Sequence, residues 1–394
     1  IMMSLKFTGE IPFREVHING IVRDAERQKM SKTRGNIIEP IALIDQYGAD
    51  AVRFTLSSMA VPGTDIPFST DRMKGYSAFA NKVWNAARFV LMNLDDGDEP
   101  VDSEMVDGLL QSKDADVPLE DRWILHRLDQ VSSGISECLE KYRFHEASAL
   151  IYQFIWHEVC DWYIELVKPV LTNSEAPAGE RAPRSKILIH VLDYALRLLH
   201  PFMPFITEEI WQKIPHRGES IMMQQFPLPN ELRSNPAASQ QMQDLMELIV
   251  QMRSLRAEMN VDPKRKLDAV FTIPNEIDRK LVEENLGKIR SLVRLEAISF
   301  SGALPRSMLR GVWRLGEFGL DVEGAIDVAS EKDRLRKEVE RVQEQMGKLE
   351  KKLNNKEFVV RAPEEIVTEH RLRYKELEER YQKIQSNLQH LPVH

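Results

Sequence analysis

The sequence predicts a mainly α chain. It should open with a short α/β segment, continue as a helical bundle and a small α+β module, and close in an antiparallel coiled-coil hairpin. Three observations carry this. Apolar residues recur at helical spacing through most of residues 70–260. Strand-like runs cluster only near the start and between 261 and 325. At the end, Leu335, Val339, Val342, Met346, Leu349 and Leu353 alternate steps of four and three, and Val367, His370, Tyr374, Leu377, Tyr381, Ile384, Leu388 and Leu391 do the same.

In chain order, Ile1 to Leu5 reads as the end of a helix, and Val16 to Val22 as a strand. A polar segment follows, Lys29-Met30-Ser31-Lys32-Thr33-Arg34-Gly35-Asn36. The next helix opens at Glu39-Pro40, since proline suits the first helical position. Ile41, Leu43, Ile44 and Tyr47 give it an apolar face, and Gly48 stands where a C-cap is expected. Val52, Leu56 and Met59 continue with helical spacing, and Val61 to Thr70 reads as a linker.

The bundle begins at Met73, with Phe79, Val83, Ala86, Ala87, Val90 and Leu91 on one face. Asp95 to Pro100 ends that helix, and an acidic connection without pattern runs to Pro118. Helices are expected over 120–141, 144–168, 184–200 and 205–213, then a loop over 215–236 and a helix over 237–259. Trp156, Trp162 and Tyr163 read as core aromatics and Cys160 as a small buried hydrophobe. In the module, 267–273, 297–300, 311–315 and 318–322 read as strands, with one helix over 276–294. Lys264-Arg265-Lys266 at its entrance reads as a solvated turn. The two final seams, joined by a turn containing Asn354-Asn355 and Ala362-Pro363, make a hairpin that projects on the order of 35 Å.

Composition narrows the class. The chain has 394 residues, enough for two or three domains, with 43% hydrophobic and 29% charged residues. No apolar run approaches the roughly 20 residues of a membrane helix. Cys138 and Cys160 are the only cysteines, so a disulfide framework and a four-cysteine zinc site are both excluded. A reducing, cytoplasmic setting is expected. The net charge of −8 does not exclude a nucleic acid, because binding depends on local patches. The chain opens at Ile1 inside an apolar segment and is expected to be part of a larger protein.

The chemistry concentrates in the lysine segment. Two ammonium groups three residues apart, between a strand and a helix, suit a polyphosphate. Cations placed to meet charge growing on a leaving pyrophosphate lower the barrier to its release. The bland alternative is a solvated surface loop. The surroundings decide between them. Lys29-Met30-Ser31-Lys32-Thr33, then Gly35-Asn36, Pro40 and Tyr47-Gly48-Ala49-Asp50-Ala51-Val52-Arg53-Phe54, resemble the KMSKS signature region of class I aminoacyl-tRNA synthetases. Thr33 stands where that family usually has serine, which keeps the hydroxyl. Within the class the chain is most similar to the valyl-tRNA synthetases, through Gly48 to Leu56, through Phe79-Ala80-Asn81-Lys82-Val83-Trp84-Asn85-Ala86-Ala87-Arg88-Phe89, and through the terminal hairpin.

That resemblance implies an organisation. Residues 1–60 would close a Rossmann-like catalytic domain, 61–260 would be a helical anticodon-binding domain, 261–328 a small α+β module, and 329–394 a coiled-coil tRNA-binding arm. It implies an enzyme that activates valine with ATP and magnesium and esterifies it to tRNA(Val), as a cytoplasmic monomer without structural zinc. Lys29 and Lys32 would be catalytic, and Met30, Ser31 and Thr33 would join them in holding ATP. Asn81, Trp84 and Arg88 would lie near the tRNA. On the arm the candidate contacts are Arg334, Arg336, Lys337, Arg341, Lys348, Lys351, Lys352 and Lys356, with Arg371, Arg373 and Lys375 on the second helix. The sequence holds no His-x-Gly-His motif and no inserted hydrolytic domain, so this chain alone is expected to be catalytically silent. Two alternatives remain: a non-catalytic tRNA-binding paralog, and an isoleucyl or leucyl enzyme.

Overall fold

The computed structural model describes residues 1–94, 99–112, 117–173, 175, 177–325, 328–354 and 364–390. By contacts the chain forms two units, Ile1–Met242 and Gln243–His394. The mainly α reading holds.

The first unit starts with α1 (Met2–Thr8) and an extended stretch to β1 (Val22–Arg23). Of the strand expected over Val16 to Val22, only Val22 lies in β1. Val16 and Ile18 are exposed and no described strand pairs with them, and an unpaired strand cannot satisfy its backbone. β1 instead pairs in parallel with β2 (Ile66–Pro67), inside the stretch expected to be a plain linker. The extended stretch is tied down at His17, which stacks on Tyr142 at 5.4 Å. α2 (Pro40–Tyr47) has its proline at the first position as expected, but Ile41 is exposed and the helix buries none of its residues. α3 (Ala49–Met59) buries Val52, Phe54 and Met59, whereas Leu56 points outward.

α4 (Thr70–Met92) is capped by the Ser69 hydroxyl and buries Met73, Phe79, Val83, Ala87 and Val90. The acidic connection contains a helix the pattern did not reveal, α5 (Ser103–Gln111), capped by the Asp102 carboxylate. Asp95 to Asp98 lie outside the described residues. α6 (Leu119–Glu140) and α7 (Phe144–Gln153) pack together. After α7 the helix widens into a π-helical segment, Phe154–Tyr163, and resumes as α8 (Ile164–Leu171). Tyr163 is core as expected, but Trp156, Trp162 and Cys160 are only half-buried. Burial still pushes the Cys160 thiol up to about 12, so it is an unreactive thiol. α9 (Ala178–Leu199) starts earlier than its apolar stripe, and α10 (Pro204–Trp211) follows.

α10 is started from a distance. Asp50, on α3, accepts the backbone N–H groups of Phe205 (3.3 Å) and Ile206 (2.7 Å). Those are among the donors a helix leaves unsatisfied at its first turn. Burial raises the Asp50 carboxyl despite these bonds.

A buried polar cluster fixes the loop between α10 and α11 (Pro236–Glu258). Arg233 is fully buried. It donates to Asp107 (2.8 Å), to the ring of His190 (2.9 Å) and to Ser103, and lies 3.8 Å from Asp129. Asn230 joins it by donating to Asp107 (2.7 Å) and Asp129 (3.1 Å). Burial pushes the Asp129 carboxyl up to about 6 against the pull of Arg233. A second buried set pairs Arg184 with Glu120 (2.6 Å) and Tyr163 with Asp121 (2.7 Å).

In the second unit, β3 (Leu267–Thr272), β4 (Leu295–Phe300), β5 (Leu309–Trp313) and β6 (Gly316–Leu320) form a sheet of order β4-β3-β6-β5. Only β3 and β4 run parallel. The helix expected over 276–294 is two, α12 (Glu276–Glu284) and α13 (Leu286–Val293), because Asn285 turns its side chain onto the carbonyl of Leu281. β5 and β6 begin two residues earlier than expected. Gly316 sets that register, since a Cβ there would lie 2.3 Å from the Thr272 carbonyl oxygen. Lys264, Arg265 and Lys266 are exposed, with Lys266 paired to Glu296, which fits a solvated turn.

α14 (Val328–Asn354) and α15 (Glu364–His390) pack as a hairpin. Leu335, Val339, Val342, Val367, Leu377 and Ile384 are buried in the seam. The turn over 355–363, with Lys356, and Leu391 lie outside the described residues.

Candidate functional site

The lysine segment folds as a compact turn. Ser31 caps a short 3-10 helix, Lys32–Arg34, by accepting the Arg34 N–H through its hydroxyl. Gly35 closes it at φ 66°, where a side chain would be strained. Asn36 holds the ends together. Its side-chain oxygen accepts the Ser31 N–H at 2.9 Å, and its NH2 donates to Asp24 (2.7 Å) and to the Lys29 carbonyl (3.3 Å). The Asn36 bond is the main reason the Asp24 carboxyl lies below its usual range. Lys29 also bridges to Arg23 through the backbone, which fixes the loop to β1.

Lys29, Lys32 and Thr33 are exposed, and Met30 and Ser31 half-buried. Neither lysine has a carboxylate partner among the described residues. Their charge is uncompensated and the backbone beneath is held, an arrangement suited to meeting an anion. No group of three or more His, Cys, Asp or Glu side chains among the described residues could hold a metal. Asn36 and Asp24 were legible only as neighbours of the motif; their role as a brace needed the fold.

Asn81, Trp84 and Arg88 share one exposed face of α4. Trp84 is 40% exposed. Beside that face Lys82 pairs with Asp161 and stands 4.2 Å over the Trp156 ring.

On the hairpin, part of the candidate set converges. Arg334, Lys337 and Arg341 of α14, with Arg373 and Arg380 of α15, line one groove of about 550 Å³. Glu338 is its one carboxylate and is engaged by Arg334 and Arg380. Lys337 and Arg341 have no carboxylate partner among the described residues. Arg336 and Lys348 are instead paired along their own helix, with Asp333 and Glu344. Arg380 was not among the residues anticipated, because charge count alone does not tell which side of a helix faces the groove.

Comparison with known proteins agrees with this layout. Residues 1–69 match the family of class I tRNA synthetases for isoleucine, leucine, methionine and valine. Residues 121–271 match the anticodon-binding domain of tRNA ligases. The chain therefore has the parts of a class I aminoacyl-tRNA synthetase. Residues 327–392 match the valyl-tRNA synthetase tRNA-binding arm. A valine--tRNA ligase of Syntrophotalea carbinolica is 40% identical over 99% of this chain and 43% of its own length. That of Carboxydothermus hydrogenoformans is 42% identical over 94% and 41%, and that of Thermotoga maritima 40% identical over 99% and 43%. The chain corresponds to the C-terminal region of valyl-tRNA synthetases, and it spans less than half the length of these relatives.

Proposed function

We propose that this chain supplies the ATP-phosphate loop and the tRNA-binding parts of a valine--tRNA ligase. In that enzyme the valine carboxylate attacks ATP, forming valyl-adenylate and releasing pyrophosphate, and valine then passes to the terminal adenosine of tRNA(Val). The uncompensated pair Lys29 and Lys32 on a braced turn carries this reading. Lys32 meets charge on the leaving phosphates, Lys29 steadies them, and Met30, Ser31 and Thr33 shape the contact with the nucleotide. Magnesium accompanying ATP would supply further neutralisation of its phosphates, beside Lys29 and Lys32. The cationic loop fits the phosphates of such a pair, and among the described residues no group of three or more His, Cys, Asp or Glu could hold a metal separately. A cytoplasmic, monomeric enzyme suits this chemistry, and no described helix is long and apolar enough to cross a membrane.

The division of labour in this reading is 1–60 for the ATP loop, 61–260 for the anticodon, 261–328 as a small α+β module and 329–394 as the arm. The groove flank of the arm, with Lys337 and Arg341 at its centre, faces RNA backbone, which duplex RNA presents as shape and phosphate. Asn81, Trp84 and Arg88 give a second contact, with the indole offered as a stacking surface.

Deleting residues 331–394 from the full-length ligase tests this. Affinity for tRNA(Val) should fall, and its log–log salt dependence should flatten by roughly 0.7–0.9 for each phosphate the arm no longer neutralises. Valine-dependent pyrophosphate exchange without tRNA should persist. Unchanged affinity and slope would remove the arm from tRNA binding. The 394-residue chain alone should show no such exchange, and any valine-dependent exchange by it would contradict the assignment.

A further inference from the structure

A cavity of about 570 Å³ opens beside the ribbon that carries the lysine loop, and neither Lys29 nor Lys32 lines it. Three arginines do. Arg23 belongs to β1, Arg27 to the turn after it, and Arg72 to the first turn of α4. Asp65 is the one carboxylate in the lining, and it is already engaged: it pairs with Arg23 and accepts the Ile21 N–H at 3.0 Å. Arg27 and Arg72 are exposed and have no carboxylate partner among the described residues. Two positive charges therefore face one cavity uncompensated.

Both are held by their backbone. Arg27 sits at φ 60°, in a turn closed by its own N–H on the Asp24 carbonyl at 3.0 Å. Arg72 donates its N–H to the Ser69 hydroxyl, within the capped first turn of a 23-residue helix. The positive end of that helix adds to the field at the cavity. Arginine forks match oxyanions with several acceptor oxygens, and phosphate above all. The rest of the wall is partly apolar, through Met59, Val61 and Pro67. A free inorganic ion has no use for such a wall, whereas a phosphate carrying a sugar does.

We propose that this cavity grips a phosphodiester of the bound tRNA strand, Arg27 and Arg72 holding the phosphate and the apolar wall its ribose. The proposal rests on the tRNA-ligase reading above. It also places RNA close to the ATP loop, because Asp24, which closes the Arg27 turn, is bonded to Asn36.

The test uses full-length ligase with Arg27→Ala and Arg72→Ala combined, and tRNA(Val) binding at several salt concentrations. Binding should weaken roughly 10- to 100-fold, the effect of losing charged hydrogen bonds. The salt slope should fall by roughly 0.7–0.9, for the one phosphate the site no longer neutralises. The Arg27→Lys, Arg72→Lys variant keeps both charges and loses the forks, so it should lose affinity while keeping the slope. Unchanged affinity and slope in the alanine variant would overturn the proposal. So would slowed pyrophosphate exchange without tRNA, whether or not tRNA affinity also falls, since the ligand would then be ATP or pyrophosphate or the change would be structural. Should the unmodified ligase itself bind no tRNA, the parent reading fails rather than this site.

Discussion

Lys32 and Arg233 are both cations in the first unit, and their surroundings are opposite. Arg233 has no exposed side-chain surface and is surrounded by Asp107, Asp129, His190 and Ser103. Lys32 is exposed, with no carboxylate partner among the described residues and a braced backbone beneath it. A buried cation with its partners in place is part of the architecture. An exposed cation held without a partner is available to a ligand. The contrast sorts the chain's positive charges better than their number does: Arg184 belongs with Arg233, while Lys29, Lys337, Arg341, Arg27 and Arg72 belong with Lys32.

Removing each cation should break different things. Arg233→Ala leaves Asp107 and Asp129 buried without their partner and should cost about 3–5 kcal/mol of stability. Denaturant unfolding measures this, and a loss under ~1 kcal/mol would mean the cluster is not structural. Lys32→Ala in the full-length ligase should leave stability alone and slow adenylate formation roughly 10²- to 10³-fold, the scale of losing one donor to a developing anion. The effect should fall on kcat more than KM. Normal single-turnover adenylate formation would place Lys32 among solvated lysines.

Protons sharpen the comparison further. Burial, then the charge of Arg233, holds the His190 imidazole well below its usual range, so it stays neutral in the fold. An unfolded histidine takes up a proton near pH 6.5, so this site favours unfolding as pH falls below that value. His126 and His200, lowered chiefly by burial, act in the same sense. Asp129 acts oppositely. Its carboxyl is raised to about 6, so its contribution is greatest below the unfolded carboxylate range and is lost as pH rises through about 6. His190→Gln keeps an acceptor for Arg233 and removes one titration. The stability advantage of the natural chain over this variant should therefore shrink on acidification below pH 6.5, by up to about 1.4 kcal/mol per pH unit. A pH-independent difference would refute that account.

The smallest effect is expected at the brace. Asn36→Ala loses three exposed or half-buried hydrogen bonds and should cost about 1 kcal/mol of local order. It should raise the KM for ATP in the full-length ligase, while global unfolding barely moves. An unchanged KM would mean that the lysines need no brace.

Periodicity alone carried the long helices and the hairpin seam, because burial of a stripe recurring every three or four residues is a local property of the sequence. The spacing of Lys29 and Lys32, and the proline and glycine around them, were equally local. Pairing was not. Whether Val16 to Val22 forms a strand depends on a neighbouring strand, and the neighbour that β1 has lies in a stretch whose Pro, Gly and Thr content reads as linker. α5 has a short stripe in an acidic context and takes its place from packing on α9 and the Arg233 loop. Distance in sequence hid the other decisions as well. Asp50 caps a helix that starts at Pro204, and Arg233 finds its carboxylates on α5 and α6. The sequence by itself determined the long helices and the place of the lysine-rich loop. Tertiary structure alone decided which charges are neutralised, since a charge's partner is set by proximity in space and its strength by burial.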